Sequence, residues 1–75
     1  MISTDAFKAM KTASGELRAL GRRIKENRMR SHAISAVTEE WHELDREFDI
    51  LQAEWNEVYR QFAEASYEFL FLFGQ

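Results

Sequence analysis

ISAVTEEWHELDREFDILQAEWNEVYRQFAEASYEFLFL, residues 34–72, places apolar side chains at 34, 37, 41, 44, 48, 51, 55, 58, 62, 65, 69 and 72. Steps of three and four alternate without a break. A β-strand needs alternation by two, so this spacing predicts one long helix with a heptad seam. One row of the seam reads Ile34, Trp41, Phe48, Trp55, Phe62, Phe69, and the other Val37, Leu44, Leu51, Val58, Ala65, Leu72. Ser35 is the expected N-cap of its regular part, with Glu39 and Glu40 near the positive end of the helix dipole.

Upstream, a weaker seam runs through Ala6, Met10, Ala13, Leu17, Leu20 and Ile24, with Phe7 beside it and Ser3 or Thr4 as the expected N-cap. Gly15 and Gly21 interrupt it, each costing ~1 kcal/mol relative to alanine in a helix interior. Between the seams, KENRMRSH (25–32) has Met29 as its sole apolar side chain. The expected organisation is a single helical domain over 1–75: helix 1 about 4–27, a turn about 28–33, helix 2 about 34–73. In an antiparallel hairpin, facing layers have residue numbers of constant sum. A sum of 61 pairs Ile24 with Val37, Leu20 with Trp41, Leu17 with Leu44, Ala13 with Phe48, Met10 with Leu51 and Ala6 with Trp55. The fold class expected is therefore all-α, an antiparallel coiled-coil-like hairpin with a longer second helix, assembling into a multi-helix bundle. A continuous rod and a three-helix domain broken at Ser14-Gly15 are the competing architectures. Phe69, Phe71 and Phe73 also alternate as a strand would.

Charge divides the chain. Residues 1–30 carry eight Lys or Arg against three acids, for +5; residues 31–75 carry two against ten, for −8. Helix 2 is flanked by Glu40, Glu47, Glu54, Gln61 and Glu68 on one side and by Thr38, Asp45, Gln52, Tyr59 and Ser66 on the other, with no cation on either. It needs a basic neighbour, and Arg23, Arg28 and Arg30 on the flanks of helix 1 supply one.

The register of 61 leaves Val58 to Phe73 without a partner, an overhang of about 24 Å at ~1.5 Å per residue. The interface expected is Trp55, Val58, Tyr59, Phe62, Phe69, Leu70, Leu72 and Phe73, covered by a second copy of the chain or docked on a foreign protein. The function expected is non-enzymatic protein association or self-assembly, as a scaffold, assembly subunit, or small inhibitor or adaptor. The alternative is nucleic-acid binding through Lys11, Arg18, Arg22 and Lys25, an outward stripe on helix 1 able to follow phosphates.

Other chemistries lack a carrier in the sequence. With no cysteine there is no disulfide, thiolate metal site or cysteine nucleophile. Glu39-x-x-His42, with Glu43 one turn on, has the Glu-x-x-His spacing of di-iron bundles, but it lies opposite Trp41 and Leu44 and finds no carboxylate on the seam of helix 1. No serine–histidine–acid set or glycine-rich phosphate loop is present, so no catalytic residue, cofactor or metal is expected. No apolar run reaches the length of a signal-peptide core or a membrane span, and the expected location is cytoplasmic.

Overall fold

In a computed structural model of the chain, the backbone of residues 2–73 and the side chains of residues 5–71 are described. Two helices, α1 (Ile2–His32) and α2 (Glu39–Phe73), pack against each other as an antiparallel hairpin, with no strand among the described residues. The Cα frame measures 55 × 16 × 14 Å. The fold class is as the periodicity indicates: neither the rod nor a break at Ser14-Gly15 is seen, and the phenylalanine run at 69–73 is helical.

The boundaries differ from those expected. α1 continues through 28–32, and the turn occupies 33–38. The reason is that the seam of α1 does not end at Ile24. It continues in polar form through Asn27 and Ser31, both buried. Asn27 Nδ2 donates to the Leu44 carbonyl across the hairpin at 2.8 Å, its Oδ1 accepts from Arg28 Nε and Nη2, and Ser31 Oγ donates to the Arg28 carbonyl. Each buried polar group thereby finds a partner, which makes its burial tolerable. At the other end Ser3 and Thr4 already lie within α1, and their side chains are outside the described residues.

The N-cap of α2 is Thr38 rather than Ser35. Thr38 Oγ1 accepts from Trp41 N at 3.2 Å, and its carbonyl accepts from His42 N at 3.3 Å. Ser35 instead organises the turn, its carbonyl accepting from Thr38 N and Thr38 Oγ1 and its hydroxyl from Val37 N. Glu39 and Glu40 do occupy the first turn of α2. Val37 falls in the loop, 87% exposed, and leaves the seam.

The register is displaced by two heptads. Cross-helix contacts join residues whose numbers sum to 71 (Asn27 with Leu44), 73 (Arg28 with Asp45) and 76 (Arg28 with Phe48, Phe7 with Phe69). The two seams superimpose within that range at 75, fourteen above the expected 61. This register sets small against large: Ala6 lies level with Phe69, Ala13 with Phe62, Asn27 with Phe48, and Met10 with Ala65. It also removes the overhang. With 31 and 35 residues the helices nearly match, the Phe7 and Phe69 rings stand 5.9 Å apart, and Ala65 is buried.

A candidate association face

The two sides of this hairpin are chemically different. Burial follows rows along each helix. On α1 the row Ala6, Ala13, Leu20, Asn27 is buried, whereas Met10, Leu17 and Ile24 are half-buried. On α2, Leu51 and Ala65 are buried and Leu44 and Val58 of the same row are half-buried, whereas all five aromatics of the other row, Trp41, Phe48, Trp55, Phe62 and Phe69, are only half-covered. Two helices cannot enclose side chains of this size. A third or fourth helix is the usual cover for such a row.

The half-covered rows open onto one face. Its rim is Phe7, Ser14, Gly21 and Arg28 on α1 and Asp45, Gln52, Tyr59 and Ser66 on α2, each set spaced by seven. Four contacts lie on this side: Phe7 against Phe69, Trp55 stacked on Tyr59 at 5.1 Å and 10°, the Arg28 guanidinium 3.8 Å over the Phe48 ring, and the Arg28–Asp45 ion pair at 3.8 Å. On the α2 rim charge is confined to the end near the turn, whereas on α1 Lys11, Arg18 and Lys25 stand four residues after Phe7, Ser14 and Gly21. From Gln52 onward the α2 flank, Gln52, Asn56, Tyr59, Ala63, Ser66, Leu70, steps by four and three without a charged residue. Ser66 Oγ is shielded from solvent yet has no hydrogen-bond partner among the described residues.

The opposite face is rimmed by charge. There Leu20, Ala19 and Val58 floor an open groove of about 390 Å³ edged by Glu16, Arg23, Glu54 and Glu57. Glu40, Glu47, Gln61 and Glu68 continue its α2 edge, all exposed. Arg60, on the outward side of α2, bridges Glu57 and Glu64, each at 2.6 Å. Its hydrogen bond and charge hold the Glu57 carboxyl below the ordinary carboxylate range, and Glu57 in turn raises the Arg60 guanidinium.

Among the residues expected at an interface, Trp55, Val58, Phe62 and Phe69 are half-buried within the hairpin, not bare on an overhang, while Tyr59 and Leu70 are exposed. Leu72 and Phe73 have side chains outside the described residues. Phe71, Tyr67 and Ile50 add exposed apolar surface on the outward side of α2. The contribution of Phe7, Ser14 and Gly21 on α1 was missed by sequence reasoning, because it depends on the register. Once the register is known, their spacing of seven identifies them.

Lys11, Arg18, Arg22 and Lys25 are all exposed and, among the described residues, form no ion pair. Lys8 extends the stripe by one turn. Glu39, His42 and Glu43 are exposed, and His42 meets Trp41 edge-on at 5.4 Å. No group of three or more potential metal ligands occurs among the described residues, and no helix there is long and apolar enough to cross a membrane. No protein-family model matches the chain, and no curated protein or solved structure matches it either.

Proposed function

We propose that the chain is a non-enzymatic association module that acts through the aromatic face of the hairpin and assembles with itself into a larger helical bundle. The carrying observation is the half-covered row Trp41, Phe48, Trp55, Phe62, Phe69, opening onto an α2 rim free of charge beyond Gln52. Fully burying a large apolar side chain contributes ~1.5–3 kcal/mol. Completing the cover of five such residues therefore rivals the ~5–15 kcal/mol stability of a typical domain. Sedimentation and light scattering on the full chain test this. At ~100 μM the mass should be that of a dimer or larger, and the tryptophan emission should shift to shorter wavelength as concentration rises. A well-folded monomer at that concentration would falsify self-assembly and leave a foreign protein as the occupant of the face.

A second reading rests on the exposed, unpaired stripe Lys11, Arg18, Arg22, Lys25 along α1. Phosphate contacts from such a stripe give affinity that falls steeply with salt and is indifferent to sequence. A duplex mobility shift at low salt, weakened by Arg18→Ala and by Arg22→Ala, is the expected result under this reading. No shift at low salt removes it.

A further inference from the structure

We propose that the aromatic face is occupied by a second copy of the chain related by a twofold axis parallel to the helices, so that α1 of each copy lies over α2 of the other and both turns sit at the same end. This rests on the self-association reading and specifies its geometry. Two face-to-face arrangements are open to a hairpin dimer with closed symmetry. An axis along the helices sets α1 over the partner's α2. An axis across them sets like helix over like helix, with turns at opposite ends.

Three observations select the first. Charge is one: α1 carries +5 and α2 −8, so only the parallel axis places every helix beside neighbours of opposite sign. Shape is another. The rim of α1 is small at Ser14 and Gly21, whereas that of α2 is large at Tyr59, which stands on Trp55. A Cβ built on Gly21 meets nothing within 4 Å, so the hairpin itself gives no steric reason for glycine there. A partner helix approaching closely gives one. The parallel axis keeps residues of both copies at the same height, which in the register of 75 sets the partner's Tyr59 nearest Ser14 and the partner's Gln52 nearest Gly21.

The third observation is the gradient along the face. Its turn end holds the Arg28–Asp45 pair, and its far end holds Phe7 against Phe69. With the parallel axis, two ion pairs meet with signs alternating and two aromatic pairs meet each other. The transverse axis would press each ion pair onto the partner's aromatic end, desolvating charge against rings. The extent is adequate as well: a face of the 55 × 16 Å frame approaches the ~800 Å² per partner of a standard interface.

The experiment is a distance measurement between spin labels on the full chain carrying Val37→Cys, a substitution in the exposed turn that introduces the sole cysteine. The expected result is a dimer with the two labels within ~30 Å, two label arms plus an interhelical spacing of ~8–10 Å. A dimer with labels near the 55 Å length of the hairpin would overturn this arrangement and leave self-association standing. A chain monomeric with and without the label would overturn both. As a check on the face itself, Gly21→Leu should weaken association at least tenfold while Gly15→Leu, on the outward side of the same helix, should not. Equal effects would contradict the docking of a partner over Gly21.

Discussion

The two faces of the hairpin share the same helices and the same seam, yet one is edged by Glu16, Arg23, Glu54 and Glu57 and the other by Phe7, Ser14, Gly21 and Tyr59. What separates them is the row on either side of the seam. A carboxylate must shed strongly bound water before anything apolar can cover it, whereas a serine, glycine or tyrosine loses far less. The acidic face therefore resists apolar cover, and the aromatic face is the one that loses less on being covered. The seam determines that two helices pair; the flanking rows determine which side of the pair is less costly to cover.

The largest effect should come from a position common to both faces. Leu51 is 1% exposed, and Leu51→Ala should cost about 2–5 kcal/mol in denaturant unfolding whichever face is occupied. A loss below ~1 kcal/mol would mean that the hairpin core is not where stability resides.

Next is the lock that sets the two faces in register. Asn27 spends its side chain on the Leu44 carbonyl and on Arg28, and a heptad-repeating seam pairs almost as well when slipped by fourteen in the residue sum. One buried polar residue at a seam position is a known device for specifying register. Labels at Lys8→Cys and Tyr67→Cys, whose numbers sum to 75, should give one narrow distance distribution. Asn27→Leu should retain helicity and add a second population, displaced along the axis by about 21 Å at ~1.5 Å per residue. An unchanged single population would show that Asn27 does not hold the register.

A smaller and sharper contrast uses the two glycines. Neither meets anything within 4 Å when a Cβ is added, so Gly15→Ala and Gly21→Ala should each stabilise the hairpin by about 0.5–1 kcal/mol. Association should separate them: unchanged for Gly15→Ala on the outward side, weaker for Gly21→Ala on the aromatic face. Equal association would argue against close approach there.

The smallest effect lies on the outward acidic edge. The lowered Glu57 pKa means that its bridge to Arg60 is fully formed above the ordinary carboxylate range and is lost as pH falls through the lowered value. Arg60→Gln should return the Glu57 titration, followed by NMR, toward the ordinary range, with little change in global unfolding because the pair is exposed. A large loss of stability would mean that the edge supports the core.

How much was legible in the sequence follows from the same physics. The three–four spacing over 41–72 is long and apolar enough to identify α2, and the opposite charges of the halves identify α1 as its partner. Register was not legible, because seams that repeat every seven match at 61, 68 and 75 alike. The sums differ in where the turn falls: Asn27 ends the expected helix 1 and Ser31 lies in the expected turn, both left out of the seam because they are polar, although hydrogen bonds let them continue a buried row. Val37, apolar and correctly spaced, extended the α2 seam too far toward the N-terminus. From those two misreadings came the apparent overhang, which set Val58 to Phe73 beyond the end of helix 1 rather than alongside it.

Association through the aromatic face is tested most directly by placing the same charge on each side of α1. Ser14 is half-buried on the aromatic face, and Thr12, two residues away, is exposed and faces outward. Sedimentation equilibrium of Ser14→Glu and Thr12→Glu, each with helicity checked by circular dichroism, compares them at equal charge. Ser14→Glu should weaken self-association at least tenfold while Thr12→Glu leaves it within a factor of about two, tenfold being ~1.4 kcal/mol. Equal weakening by both, or an unaffected Ser14→Glu assembly, would contradict the account.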